Sequence, residues 1–202
     1  MIRLAAVYSG ASVHHRSLRG ERYKELFDEL IYLPKLAAAD LHPFRGILIP
    51  CRMHLGLLEA ARSNLETYLQ GGGVVIALGE QPMPLLPGVT WEDRETNFWW
   101  WLDPDATSPL HAPRADHSLF RYLRVEDATW HFHGVFHPPP GAEALICTDD
   151  GASVVYVDSV TTAGTMVISS LDPMYHFGSY FMPAAERFLD GFLHWVVEEL
   201  LA

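Results

Sequence analysis

Apolar and polar positions fall in short blocks along the chain, and the period of the blocks changes from one to the next. Residues 2–8 form a nearly continuous apolar run ending at Ser9-Gly10, which predicts a buried strand that opens into a loop at its carboxyl end. Gly46-Ile47-Leu48-Ile49-Pro50 predicts another. Between them, the charged stretch Arg19 to Leu33 is partly helical in pattern and Leu36 to Leu41 reads as a short edge strand, with Pro34 and Pro43 interrupting both. From Leu55 onward Leu55, Leu58, Ala61, Leu65, Tyr68 and Leu69 recur at helical spacing until Gly71-Gly72-Gly73 ends the helix. Val74-Val75-Ile76-Ala77-Leu78 follows as an apolar strand ending at Gly79. Strand, helix, glycine stop and strand make a βαβ unit, whose crossover must lie on one face of a mostly parallel sheet. An α/β fold with helices on both faces of the sheet is therefore expected.

Residues 82–118 are rich in proline and carry the aromatic run Phe98-Trp99-Trp100-Trp101, which predicts a long excursion from the sheet within one domain spanning residues 1–202. Thr129 to His137 then alternates, with Trp130, Phe132, Gly134 and Phe136 on one face and His131, His133, Val135 and His137 on the other. Ala144 to Cys147, Ser153 to Val157 and Thr165 to Ser170 are further strands, the first two separated by the turn Asp149-Asp150-Gly151. Ala185, Phe188, Leu189, Phe192, Leu193, Val196, Val197 and Leu200 trace the apolar stripe of a terminal helix.

Charge narrows the partners. A formal net charge of −11, with Lys24 and Lys35 the only lysines, argues against a nucleic-acid binder, which needs clustered cations to neutralise phosphates. No apolar run is long enough to span a membrane and no export signal is apparent at the amino terminus, so a cytoplasmic protein is expected. Cys51 and Cys147 suggest neither a disulfide framework nor a metal knuckle. The Trp-rich run offers more aromatic surface than its short neighbours can cover, which predicts a homo-oligomer, most simply a dimer. Light scattering at micromolar concentration should report twice the chain mass. A monomer would refute this.

The segment Phe44 to Pro50, the helix after it, Tyr68-Leu69-Gln70-Gly71-Gly72-Gly73-Val74-Val75-Ile76-Ala77-Leu78-Gly79 and the terminal helix together resemble the class I glutamine amidotransferase-like superfamily. Its ThuA-like and β-galactosidase-middle-domain branches are nearest, because they share the YL-x-GGG-VV passage from helix to strand. The resemblance implies a flavodoxin-like, three-layer sandwich. Active members place a cysteine nucleophile on a tight turn after a strand and supply a histidine and a glutamate from a later strand end. Here the pattern I-C-L-G-x-Q lies against Ile76-Ala77-Leu78-Gly79-Glu80-Gln81, with Ala77 at the cysteine. F-H-P-E lies against Leu171-Asp172-Pro173-Met174, with Asp172 at the histidine and Met174 at the glutamate. If the turn is offset, Gly79 or Glu80 occupies the bend, and there is still no thiol. Glutaminase activity is not expected.

Parallel α/β sheets collect ligands at the carboxyl ends of their strands. The residues expected there are Tyr8, Ser9, Cys51, Arg52, His54, Gly79, Glu80, Asp172 and His176, lining a pocket for a small polar, carbohydrate-related molecule. An alternative is a hydrolase or isomerase with a relocated site around Cys51, His54, Glu80 and His176, and a second is a structural oligomerisation module. No cofactor or metal is expected. His131, His133 and His137 on one strand face could hold zinc if a carboxylate joined them, but histidines on a solvated face are the plainer reading.

Overall fold

The computed structural model describes residues 2–96, 105, 107–180 and 182–202. The aromatic run Phe98 to Trp101 lies outside them. Strand β1 (Ile2–Tyr8) leads through helix α1 (Ser12–Arg19) to β2 (Glu29–Tyr32) and β3 (Phe44–Ile49). Helix α2 (Leu55–Gln70) then crosses over to β4 (Val74–Leu78). Five further strands follow as β5 (Trp91–Asp93), β6 (Leu110–His111), β7 (Gly134–Phe136), β8 (Glu143–Thr148) and β9 (Ser153–Asp158). Strand β10 (Thr165–Ser169), α3 (Pro173–Ser179) and α4 (Pro183–Trp195) complete the chain, the last helix ending in a π-helical turn over Val196–Leu200.

The strands β2-β1-β3-β4-β10 lie side by side in that order and all run parallel. Beyond β10 the sheet turns antiparallel through β9 and β8. Ser153 of β9 pairs with both Cys147 of β8 and Phe136 of β7, so β7 must take the edge of β9 that β10 occupies at Val155 to Asp158. It does so past the end of β10. This brings the segment preceding β7 up to the carboxyl ends of the parallel strands.

Alternation along the central strands divides the core in two. Ala5, Val7, Ile47, Ile49, Val75 and Ala77 pack with Leu58, Ala61 and Leu65 of α2 on one face. Leu4, Ala6, Leu48, Ile76 and Leu78 pack with Leu18 of α1 and with Phe188, Leu189 and Phe192 of α4 on the other. The result is the expected three-layer α/β sandwich around a parallel core.

Four local expectations need correction. The edge strand is residues 29–32, not 36–41. Residues 33–38 instead form a 3-10 helix that buries Leu33 and Leu36, three residues and one turn apart. Between the end of α1 at Arg19 and the 3-10 helix that starts at Leu33, the helical content is one 3-10 turn, Lys24–Leu26. The alternating stretch 129–137 is a strand only over Gly134–Phe136. The proline-rich excursion returns to the sheet twice, as β5 and β6, pairing with β7 and β8. Among the described residues, no helix is long and apolar enough to cross a membrane.

Candidate functional site

Three strands deliver their carboxyl ends to one place. After β3 the chain runs Pro50-Cys51-Arg52, after β4 it runs Gly79-Glu80-Gln81, and after β10 it runs Ser170-Leu171-Asp172 into α3. Together with His133 these segments line a cleft of about 210 Å³ whose apolar wall includes Ile49, Leu58 and Leu85.

The bend after β4 settles where a nucleophile would have to stand. Ala77 is buried inside the strand, paired with Ile49 on one side and Ile168 on the other, and so is not at the turn. The turn residue is Gly79, with φ +87° and its amide donating to the Ser169 carbonyl at 2.8 Å. A Cβ there would overlap the Cβ of Cys51. The bend therefore has no room for a side chain, and the chain passes into a loop, not into a helix that could aim backbone amides at an oxyanion.

Asp172 organises the polar side of the cleft. Its Oδ1 lies 2.9 Å from His176 Nε2 and accepts from Trp130 Nε1 at 3.4 Å, while Oδ2 faces Arg52 Nη2 at 3.5 Å. Burial works to raise its pKa, but the bond to His176, together with the charges of His176 and Arg52, outweighs it and holds the carboxyl below its ordinary value. Arg52 adopts the left-handed region at φ 55° and lays its guanidinium 4.1 Å from the Tyr175 ring centre. His133 Nε2 stands 3.5 Å from Glu80 Oε1. The His131 ring centre is 4.8 Å from that of His176 and 5.3 Å from that of His133. Burial, reinforced by His176, lowers the His131 pKa to about 4, so this imidazole is neutral at neutral pH.

Of the residues expected at the strand ends, Cys51, Arg52, Glu80 and Asp172 line the cleft and Gly79 forms its turn. Tyr8 and Ser9 do not line it, Tyr8 lying instead with its ring 6.1 Å from that of His15. His54 is exposed at the start of α2, and His176 reaches Asp172 from α3 while almost wholly buried. Of the relocated group, Cys51 and Glu80 share the cleft, whereas His54 and His176 do not line it. Burial, followed by the negative charge of Asp172, also pushes the Cys51 thiol far up, away from a reactive thiolate. The three histidines of the 129–137 segment do not share a face: His137 pairs with Glu92 at 2.6 Å, whereas His131 turns toward Asp172 and His176.

Sequence reasoning missed Ser170, Gln81 and His133 as cleft residues and His131 as a neighbour of Asp172. Ser170 and Gln81 carry a weak signal, standing one and three residues past their strands. The two histidines carry none, because only the placement of β7 beyond β10 brings them there.

No family model matches the chain. No curated protein matches it either. Solved structures do. A glutamine amidotransferase from Thermotoga maritima superposes with a TM-score of 0.62 at 10% identity, covering 98% of this chain and 99% of that one. A ThuA-like protein from Bacteroides uniformis gives 0.54 at 10% identity over 98% and 92%. The cold-adapted β-galactosidase from Rahnella gives 0.53 at 14% identity, covering 100% of this chain and 32% of that much longer one. The chain therefore shares the fold of a glutamine amidotransferase, a ThuA-like protein and part of a β-galactosidase.

Proposed function

We propose that this chain is a binding protein of the amidotransferase-like fold, without glutaminase activity, which takes a small hydroxyl-rich molecule such as a monosaccharide or polyol into the strand-end cleft. The observation that carries this reading is a pair of buried polar side chains on the cleft wall. Gln81 is 6% exposed and Ser170 2%, and neither the Gln81 amide atoms nor the Ser170 hydroxyl has a hydrogen-bond partner among the described residues. Leaving such groups unmatched costs roughly 1–3 kcal/mol each, which a ligand supplying donors and acceptors would recover. An amide and a hydroxyl each donate and accept, Arg52 only donates, and the Glu80 and Asp172 carboxylates accept. Sugar hydroxyls, which do both, match this mixture, whereas a phosphate would meet two carboxylates.

A thermal-shift screen of monosaccharides and polyols, followed by titration calorimetry of the best, tests the reading. Gln81→Ala should weaken binding about tenfold, one lost buried hydrogen bond. His54→Ala, outside the cleft, should bind as the parent does. A ligand that stabilises the parent and Gln81→Ala equally would place the site elsewhere. Incubation with glutamine should release no ammonia above a buffer control, because no residue of the bend carries a thiol and the neighbouring Cys51 thiol is pushed far up by burial; turnover would overturn that part of the reading.

A further inference from the structure

We infer that His131, Asp172 and His176 form a site for one divalent transition-metal ion of the zinc type, set behind the inner wall of the cleft. One ligand atom from each residue, two imidazole nitrogens and a carboxylate oxygen, lies within 4.8 Å of the other two. Ligands about 2.1 Å from a tetrahedral ion stand about 3.4 Å apart, so the trio needs only a small contraction to close on a cation. Asp172 and His176 already meet at 2.9 Å, because they are one helical turn apart at the start of α3. His131 comes from the opposite side, in the segment preceding β7.

The surroundings suit such a site. All three residues are buried, so the donors are held by packing and not by solvent-exposed rotamers. Arg52 Nη2 faces Oδ2 of Asp172 at 3.5 Å while Oδ1 faces His176, so a cation helps to orient the carboxylate. Two imidazoles and one carboxylate suit zinc and its neighbours in the first transition row, whereas magnesium and calcium prefer shells built wholly of oxygen. Three protein donors also leave a fourth position for water or for a ligand group, which distinguishes this set from a closed structural site. Asp172 belongs to the cleft wall as well, but His131 does not, so the inference stands apart from the sugar-binding reading.

The test is titration of chelator-treated protein with Zn²⁺ by calorimetry and with Co²⁺ by visible absorption. The native chain should take up one ion with micromolar or tighter affinity, and Co²⁺ should give the intense visible bands of a four- or five-coordinate site. His131→Ala and His176→Asn should each lose about 100-fold or more in affinity, with far-UV circular dichroism confirming the fold. His137→Ala should bind the ion unchanged, and Mg²⁺ should not compete. Gln81→Ala should keep the ion even if it loses a sugar, which separates failure of the two proposals. Absence of stoichiometric uptake by the native chain, binding that survives His131→Ala, or binding lost in His137→Ala would each overturn the site. Should His176→Asn fail to fold, His131→Ala and the Co²⁺ spectrum of the native chain decide.

Discussion

Acidification from about pH 7 to about pH 4.5 is expected to lower the unfolding free energy of the metal-free protein by roughly 4–5 kcal/mol, about half from each of His14 and His131. Both are buried, and burial brings each pKa down from 6.5 to about 4, helped by Arg52 at His14 and by His176 at His131. In the unfolded chain the same imidazoles take up protons from about pH 6.5 downward. Between those values the unfolded state binds more protons than the folded one, so stability is full above about pH 6.5, falls as pH drops toward 4, and levels off below. Asp172, whose folded pKa lies below its ordinary value, contributes stability that fades only at still lower pH. A domain with a typical margin of about 5–15 kcal/mol would lose a large part of it. Urea titrations across this range, with a chelator present, measure the slope. His14→Leu should remove about half of it and should cost little at neutral pH, since neither nitrogen of that ring has a hydrogen-bond partner among the described residues. A flat profile, or an undiminished slope in His14→Leu, would show that these imidazoles are not buried in the neutral form.

Gly79→Ala should be the most damaging small substitution at the strand ends. It combines a left-handed backbone, costing roughly 1–2 kcal/mol for an alanine, with a methyl group forced onto Cys51, costing roughly 1–3 kcal/mol more. A destabilisation of about 3–4 kcal/mol follows. Gly72→Ala is the control: its φ is +88° but nothing lies within 4 Å of the new methyl, so it should show the backbone cost alone. Equal midpoints for the two variants in urea would mean that the Cys51 contact is not tight. The folded fraction of Gly79→Ala should also bind the cleft ligand poorly, because any relief of the overlap moves Cys51 or the turn itself.

Legibility in the sequence followed burial. β1, β3 and β4 are buried on both faces and announced themselves as apolar runs, and α2 and α4 as stripes at helical spacing. β2 buries only Ile31, so nothing in Glu29-Leu30-Ile31-Tyr32 marked it as the edge strand. α1 buries His14, Ser17 and Leu18, a face too polar for hydrophobic periodicity to find. At the site, Cys51, Arg52, Glu80 and Asp172 were readable because each follows a parallel strand within three residues. His131 and His133 were not, since the alternation of Thr129 to His137 describes a strand that is formed only over its second half. Their approach to Asp172 depends on pairing between β7 and β9, which local pattern does not encode.

The position of β10 bears on how the chain is made. It lies between β4 and β9, so a strand synthesised after β1 to β9 is an interior strand of the sheet. Until residues 165–169 leave the ribosome, β4 has no partner on that side, and Val75 to Leu78, fully apolar, is held in an open edge of the kind that templates aggregation. The strand-end cleft is open on the same side for as long, because Ser170 and Asp172 have yet to arrive. A nascent chain stalled before Thr165 would therefore present an unfinished sheet and be a natural client for a holdase chaperone. Release past α3 would close the sheet and complete the cleft in one event.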